Sequence, residues 1–296
     1  MLGYVTWTAD PAIFSLGGRE IRWYGLAFAL GFSVGYLIVG KMWEKEKLPA
    51  QHLESLLIYT VVGTILGARL GHCLFYAPGY YLANPVEILK IWEGGLASHG
   101  GTLGVMFSTY CYSKRVSHRG ILWTFDRLAV PTGFVAAMIR LGNLMNHEIY
   151  GHTTDLPWAF RFIENLGKWQ HGAQPLFSAP AHPTQLYEAA CYLLTFALSS
   201  WLFFKKGMAQ KEGFIFGIFI LCIFGSRFFV EFVKNDQEPF EAAMFLNMGQ
   251  LLSIPFVLAG LWFVFRSLLY RSIMPDRKDD GGGKDASRTT TAGRQQ

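Results

Sequence analysis

Charged residues are scarce in this chain of 296 residues, where Asp, Glu, Lys and Arg together make up only 16%. Soluble globular domains usually carry about 25% charged residues. The chain is instead 51% hydrophobic, and its apolar residues are concentrated in long runs. The net charge of +5 does not indicate a nucleic-acid partner, because the basic residues lie mostly in short loops between these runs.

Cysteine is rare as well. Cys73, Cys111, Cys191 and Cys222 all lie inside apolar runs and show no paired spacing, which argues against a disulfide framework and against a zinc site. The first 20 residues are neither basic at the start nor continuously apolar, so no cleavable signal peptide is evident. We expect no metal and no cofactor.

The apolar runs predict an all-α polytopic membrane protein with seven transmembrane helices. A helix of about 20 apolar residues crosses the hydrocarbon core and satisfies its own backbone hydrogen bonds there. The predicted spans cover residues of about 22–40, 55–76, 100–113, 121–144, 185–204, 213–233 and 248–269. The third span is short, and the fourth contains Pro131.

The distribution of Lys and Arg predicts how the helices are oriented. Basic residues occur in loops 41–47, 114–119, 205–211 and 266–278, which all fall on one side of the predicted bundle. The positive-inside rule makes this side cytoplasmic. With seven spans, we therefore expect the N-terminus outside and the C-terminus in the cytoplasm.

Two segments are expected to lie outside the membrane. Residues 147–183, between spans four and five, are rich in Trp, His, Gly and Pro. They are predicted to form a small extramembrane cap on the outer side of a membrane domain covering residues 1–274. Residues 275–296 are polar, Gly-rich and without periodicity. We predict that they form a disordered cytoplasmic tail.

Three arginines lie within or at the ends of apolar runs: Arg69, Arg140 and Arg227. A charged side chain in a membrane span costs at least about 2.5–3.5 kcal/mol on insertion scales, so such residues are rare and usually functional. The planar guanidinium suits a phosphate because it can bind two oxygens at once. A structural role remains the alternative, since Glu231 follows Arg227 by four residues on the same helix face.

A polar stripe surrounds the second of these arginines. Arg140, Asn143 and Asn146 are spaced three residues apart and therefore share a helix face. Glu148 and Gly151 follow closely. The stripe could line a pocket for a lipid headgroup, or it could be an ordinary polar helix end at the interface.

His99 lies in the segment "EGGLASHGGTLG", just before the third predicted span. The glycines allow the backbone to approach a ligand closely, and a histidine can exchange a proton near neutral pH. A histidine with no special function is the alternative.

Two further polar positions lie at the starts of predicted helices. Tyr24 follows Trp23 at the start of the first span. An interfacial aromatic anchor is the simpler interpretation of Trp23, whereas Gly25 directly after Tyr24 suggests close packing there. Thr184 lies in "AHPTQLYEAA" before the fifth span and is expected to cap that helix.

The polar segments resemble those of one family, the bacterial prolipoprotein diacylglyceryl transferases. The similar pieces occur in the order of that family, over about residues 10–270. They are "RWYGLAFALGF", "LGARLGHCLFY", "WEGGLASHGGTLG", "IRLGNLMNHEIYG", "HPTQLYE", "RFFVEF" and "MGQLLSIP".

The resemblance implies seven transmembrane helices, an N-out and C-in topology, and a periplasmic head. It also implies transfer of a diacylglyceryl group from phosphatidylglycerol to the thiol of a lipobox cysteine in a prelipoprotein, with a thioether and glycerol phosphate as products. The expected partners are therefore phosphatidylglycerol, prelipoprotein signal peptides and membrane lipids, for a protein that works as a monomer.

The resemblance assigns roles to individual residues. Its implied catalytic residues are His99, Arg227, Tyr24, Asn143, Glu148 and Glu231. Its implied phosphatidylglycerol-binding residues are Arg140, Asn146 and Gly151. The chain departs from the family pattern at Ser98, His152 and Ile223.

The implied reaction requires a thiolate and stabilisation of a departing phosphate. We assign the first task to His99 and the second to Arg140 and Arg227, held in place by Asn143 and Glu148. Two other functions remain open for these residues: an anion or lipid transporter, and a scaffold with structural ion pairs. A transporter often contains repeated halves, which this sequence does not show.

Overall fold

The structure is a computed structural model that describes residues 3–17, 19–91, 94–235, 241 and 244–273. The predicted tail at 275–296 lies outside these residues. The described part contains nine α-helices, which are α1 (Trp23–Lys45), α2 (Ala50–Phe75), α3 (Pro78–Ala83), α4 (Ser98–Tyr112), α5 (Ile121–Met145), α6 (Leu166–Gln170), α7 (Thr184–Phe204), α8 (Phe214–Val230) and α9 (Met248–Ile273).

Six of these helices are long and apolar enough to cross a membrane: α1, α2, α5, α7, α8 with the turn after it, and α9. They correspond to six of the seven predicted spans. The third predicted span, residues 100–113, forms the helix α4, but its 15 residues are fewer than the roughly 20 that a span requires. A π-helical turn, Ser113–Ser117, continues it.

The expectation of an all-α fold needs a correction, because four short strands are present. They are β1 (Val5–Thr6), β2 (Ala12–Leu16), β3 (Arg19–Arg22) and β4 (Phe160–Arg161). Strands β2 and β3 form an antiparallel hairpin directly before α1. Strand β1 pairs in parallel with β4, which joins the start of the chain to the segment between α5 and α7.

Short 3₁₀ turns complete the described elements. They cover Pro85–Leu89, Met208–Gln210 and Glu231–Val233. The last of these turns matters for the site below, because it continues α8 as far as Val233, and the backbone becomes extended at Lys234.

Glycines allow α2 and α4 to cross at backbone contact. A Cβ atom on Gly104 would clash with the carbonyl oxygen of Gly63 and would lie 2.9 Å from the Cα of Gly67. A Cβ atom on Gly71 would lie 2.7 Å from the Cα of Gly100. Small residues at such a crossing let membrane helices pack closely, since the hydrophobic effect gives no drive for helix association within lipid.

Helix α5 is the centre of the rest of the bundle, since it packs against α1, α7 and α8. Gly35 of α1 lies against Pro131, and a Cβ atom on Gly133 would lie 3.1 Å from the backbone nitrogen of Phe196 in α7. Helix α8 packs in turn on α9. A buried aromatic and aliphatic cluster closes one end of the bundle, formed by Val39, Met42, Trp43, Leu56, Tyr112, Trp123, Val130, Leu202, Phe203, Ala209, Phe214 and Ile215.

The basic loops meet at this same end of the bundle. The Nζ of Lys45, at the end of α1, donates a hydrogen bond to the carbonyl oxygen of Phe203 at 3.3 Å. Arg127 of α5 pairs with Glu46, and its Nη1 donates to the carbonyl of Ala209 at 3.4 Å. These contacts place the loops that follow α1 and α7 at one end of the bundle, and the sequence predicts that the basic loops lie on one side.

We predict that Gly104→Ala destabilises the protein by about 1–3 kcal/mol, the usual cost of overpacking. The added methyl would force α2 and α4 apart at the contact with Gly63. Gly25→Ala is the matched control, because a Cβ atom on Gly25 meets nothing within 4 Å. The measurement is the thermal unfolding midpoint of each variant in one detergent, and equal midpoints for both would contradict the proposed contact.

Candidate active site

Four charged side chains form an alternating chain where α5, α7 and the end of α8 meet. The Nε of Arg140 lies 2.9 Å from Oε2 of Glu188. The other carboxylate oxygen of Glu188 lies 3.6 Å from the Nζ of Lys234, and this ammonium lies 3.5 Å from Oε2 of Glu231. We call these four residues the charge cluster.

The charge cluster is almost completely removed from solvent. The side chains of Glu188, Lys234 and Glu231 are 1%, 3% and 4% exposed, and that of Arg140 is 15% exposed. Buried charges are tolerated when they are paired, and here two cations face two carboxylates. The cluster is therefore electrically balanced.

Arg140 also belongs to the polar stripe predicted from the sequence. Its Nη1 donates to Oδ1 of Asn143 at 3.4 Å. The amides of Asn143 and Asn146 both donate to Oε1 of Glu148, at 2.8 Å and 3.2 Å. The structure thus brings these four residues together into one hydrogen-bonded group.

The loop that carries Glu148 is fastened to the start of α7. The Nε2 of Gln185 donates to the carbonyl of Glu148 at 2.6 Å, and the hydroxyl of Thr184 donates to the carbonyl of Ile149 at 2.8 Å. Thr184 is the first residue of α7, and its predecessor Pro183 occupies the N-cap without a side-chain cap bond. The prediction of Thr184 as a helix cap was therefore wrong.

Gly151 lies where its backbone closely approaches the segment after α8. It forms an isolated antiparallel bridge with Lys234, and a Cβ atom here would clash with the carbonyl of Val233 and lie 2.8 Å from Cγ2 of Thr184. The contacts of Gly151 are thus with protein backbone and side chains, so it supports the site by letting the segment after α8 approach.

Tyr24 packs directly on α5. A Cβ atom on Gly142 would lie 2.7 Å from Cδ2 of the Tyr24 ring. The hydroxyl is within electrostatic range of Glu148 and Arg140, so Tyr24 lies close to the polar stripe.

Arg227 of α8 is near the charge cluster but outside its ion pairs. It lies within electrostatic range of Tyr192, a buried residue of α7 that is also close to Arg140 and Glu188. Among the residues that the structure describes, Arg227 forms no ion pair. The pairing of Arg227 with Glu231 that their spacing allows is not made, since Glu231 turns to Lys234 instead.

His99 is not brought together with these groups. It lies in the first turn of α4 with an exposed side chain, and its ring contacts Phe75 and Tyr76, with centroids 5.5 Å and 5.9 Å apart. These contacts belong to the α2 and α4 pair, so the structure separates the predicted histidine from the charge cluster.

Arg69, for which the sequence suggested no defined role, is a structural residue. Its guanidinium donates to the carbonyls of Glu87 at 2.5 Å, Ile88 at 2.9 Å and Gly94 at 2.6 Å. The side chain is buried and lies over the ring of Tyr81. It supplies hydrogen-bond donors to carbonyls in the connection between α2 and α4 and so fixes this connection against α2.

Three members of this region were not among the predicted site residues: Lys234, Glu188 and Tyr192. Glu188 and Tyr192 are four residues apart on one face of α7, a spacing that could have drawn attention to both. Lys234 gave no such signal, because a lysine after an apolar helix usually lies at the membrane surface.

A cavity of about 360 Å³ lies at the opposite end of the bundle. Its lining includes Glu46, Arg119, Trp123, Arg127 and Glu212. The donors of Arg127 are already used by Glu46 and by backbone carbonyls. We therefore assign the candidate site to the charge cluster and not to this cavity. Within the described ranges, no group of three His, Cys, Asp or Glu residues is placed to hold a metal ion.

The family model and the relatives that match this chain all carry the same description. The prolipoprotein diacylglyceryl transferase family matches residues 11–266. A protein of Porphyromonas gingivalis named phosphatidylglycerol–prolipoprotein diacylglyceryl transferase is 55% identical over 271 residues, covering 90% of this chain and 95% of the relative. Relatives of the same name from Tolumonas auensis and Chloroherpeton thalassium are 44% and 42% identical, covering 86% and 90% of this chain and 94% and 95% of the relatives.

We predict that His147 makes the loop carrying Glu148 sensitive to acid. The backbone N–H of Ile163 donates to Nδ1 of His147 at 3.0 Å, so the neutral ring donates from Nε2 to the carbonyl of Ala9 at 2.9 Å. Burial lowers the pKa of His147 below its usual 6.5. The folded state therefore favours the neutral ring, and this contribution to stability is present above pH 6.5 and is lost as the pH falls through the lowered pKa.

The test compares thermal unfolding of the wild type and His147→Gln at about pH 7.5 and about pH 5.5. The wild type should be more stable than the variant at the higher pH, and the difference should shrink at the lower pH. His182, whose pKa is lowered mainly by burial, titrates in both proteins and cancels in the comparison. An equal difference at both pH values would contradict the role of His147.

Proposed function

Since the chain belongs to the prolipoprotein diacylglyceryl transferase family, we propose that the charge cluster and Arg227 form the site where its reaction takes place. The enzyme transfers the diacylglyceryl group of phosphatidylglycerol to the thiol of the lipobox cysteine in a prelipoprotein. The match along residues 11–266 favours this transferase over the transport alternative. A purified protein that lipidates a lipobox peptide, seen as a mass gain on its cysteine, tests the proposal.

The reaction is a substitution at carbon. The cysteine sulfur forms a bond to the terminal glycerol carbon of the diacylglyceryl group, and the bond from this carbon to the phosphate oxygen breaks. The thiol proton goes to a base, and glycerol phosphate leaves with the bonding electrons. Because a phosphodiester with one negative charge becomes a monoester that carries nearly two, negative charge grows at the leaving group during the reaction.

Cations near the leaving phosphate are therefore what this chemistry needs. The observation that carries our assignment is Arg227, an arginine without an ion pair among the described residues and within electrostatic range of a tyrosine that also lies beside Arg140. We assign Arg227 and Arg140 to the phosphate. Guanidinium groups suit it because their planar donors match two phosphate oxygens.

The remaining predicted residues support this site. Asn143, Asn146 and Glu148 form the hydrogen-bonded group next to Arg140, where the headgroup glycerol would lie. Tyr24, packed on Gly142, borders the same group from the lipid-facing side. We assign these residues to orientation of the phosphatidylglycerol headgroup.

His99 is our candidate for the base. Its exposed ring is open to a peptide thiol, whereas the carboxylates of Glu188 and Glu231 are buried in ion pairs. The neutral imidazole of a histidine can accept a proton from a thiol. This role requires the substrate peptide to lie between α4 and the charge cluster.

The orientation in the membrane follows from the distribution of charge. The end that holds the basic loops is proposed to be cytoplasmic, which places the charge cluster and residues 147–183 towards the periplasm. Both substrates are anchored in the bilayer, so we propose that they reach the site sideways between helices. The proposed enzyme works as a monomer in the bacterial inner membrane.

We predict that Arg140→Ala and Arg140→Lys both lose transfer activity, by about 10²–10³-fold in kcat/KM. Arg140→Lys retains a positive charge for Glu188, so it isolates the contribution of the guanidinium geometry. Arg119→Ala, at the far end of the bundle, is the control and should retain activity. Rates are measured with phosphatidylglycerol and a lipobox peptide at matched amounts of folded protein. Full activity of Arg140→Lys would rule out recognition through two guanidinium donors.

We also predict that His99→Gln loses the acid limb of the pH–rate profile. In the wild type, protonation of the base should reduce the rate as the pH falls. The variant should show a lower rate without this limb. The measurement is kcat/KM for the peptide across the pH range, and an unchanged acid limb in the variant would exclude His99 as the base.

A further inference from the structure

Lys234 occupies an unusual position for a lysine after a membrane helix. Its side chain is 3% exposed, and its ammonium lies 3.6 Å from Glu188 and 3.5 Å from Glu231. A lysine this deeply buried is normally neutralised by a change of pKa or held by carboxylates. Lys234 is held by two carboxylates, and each of them comes from a different element.

The backbone places Lys234 there through Gly151. The two residues form an antiparallel bridge, and the N–H of His152 donates to the carbonyl of Val233 at 2.9 Å. A side chain at Gly151 would clash with this same carbonyl. The glycine therefore determines how far the segment after α8 moves inward, and with it the position of the lysine ammonium.

Glu231 has two possible cationic partners, and only one of them is used. It follows Arg227 by four residues, the spacing at which oppositely charged side chains usually pair on a helix. The N–H of Glu231 still donates to the carbonyl of Arg227, so the helical spacing is kept. Its carboxylate nevertheless lies 3.5 Å from the ammonium of Lys234, three residues later. Arg227 is left without an ion pair among the described residues.

We propose that Lys234 is a positioning residue that keeps Arg227 available for the substrate phosphate by holding the carboxylate of Glu231. This inference rests on the proposed function. With Lys234 in place, Arg140, Glu188, Lys234 and Glu231 balance one another, and Arg227 is the additional cation of the site. Without the lysine, Glu231 would take Arg227 as its partner, and the phosphate would have to compete with a carboxylate that is always present.

The first experiment measures the availability of Arg227 without any substrate. The full-length protein in detergent is treated with phenylglyoxal, which modifies guanidinium groups, and the adduct at Arg227 is followed by peptide mass spectrometry. In Lys234→Met, modification of Arg227 should slow by about fivefold, the ratio expected for a part-buried ion pair. Arg127, already paired with Glu46, is the internal control and should be modified at the same rate in all variants.

Two variants of Glu231 decide the outcome. Glu231→Gln alone should leave modification of Arg227 unchanged, because this carboxylate is not its partner in the wild type. The double variant Lys234→Met/Glu231→Gln should restore the wild-type rate. Faster modification in Glu231→Gln would show that Arg227 is paired with Glu231 in the native protein and would overturn the proposal, even if Lys234→Met failed to accumulate.

The second experiment measures transfer from phosphatidylglycerol to a lipobox peptide. Lys234→Met should raise the KM for phosphatidylglycerol by about tenfold, as expected when a close charge interaction at a binding site is lost. Lys234→Arg should retain most of the activity. Glu231→Gln should raise activity in the Lys234→Met background, whereas a purely structural lysine predicts that the double variant is at least as impaired as the single one.

The two experiments separate the inference from the function on which it rests. If the wild type does not lipidate the peptide, the proposed function fails, and the modification rates still decide whether Lys234 controls Arg227. If the wild type is active and Lys234→Met changes neither the modification rate nor the KM, the proposal for Lys234 is wrong and the transferase assignment stands.

Discussion

The ion pair between Arg140 and Glu188 joins α5 to α7 at a depth where the surroundings are poor in water. In such surroundings the attraction between opposite charges is stronger than in water, and the cost of leaving either charge alone is large. The second oxygen of Glu188 faces Lys234, which in turn faces Glu231. One ion pair thus requires the next, and together they determine where α5, α7 and the segment after α8 lie relative to each other.

Four arginines of this bundle show four solutions to the same energetic problem. Arg69 binds backbone carbonyls, and Arg127 combines a carboxylate with carbonyls and the ring of Trp123. Arg140 pairs with a buried carboxylate from another helix. Arg227 has no ion pair within the described residues, and this difference is the reason that we propose it as a ligand of the substrate phosphate.

The sequence predicts the parts of this structure that depend on local patterns. Apolar length identifies six spanning helices, and the three-residue spacing of Arg140, Asn143 and Asn146 places them on one face. The length of α4 and the pairing of β1 with β4 are harder to predict, because the first depends on glycine contacts with α2 and the second joins residues more than 150 positions apart.

The burial of Lys234 cannot be predicted from such local patterns, for a physical reason. Its burial depends on a backbone crossing with Gly151, about 80 residues earlier in the chain, and no local periodicity records such a contact. The role of Arg69 is hidden in the same way, since a carbonyl acceptor is present at every residue and leaves no trace in side-chain composition. The partners of a buried charge that are distant in the chain are therefore seen only in the structure, whereas the residues that share a helix face can be predicted from the sequence.

The balance of charge in the site suits a reaction in which negative charge grows. A site with several unpaired cations would bind the diester substrate and the monoester product strongly, and binding that is equal in the ground state and the transition state does not raise kcat. In the mechanism that we propose, the one unpaired guanidinium of the described site, that of Arg227, matches the single charge of the diester. As the second charge develops, Arg140 can share its donors between Glu188 and the leaving phosphate, because Lys234 continues to neutralise Glu188. The added stabilisation then arises mainly in the transition state, where it accelerates the reaction.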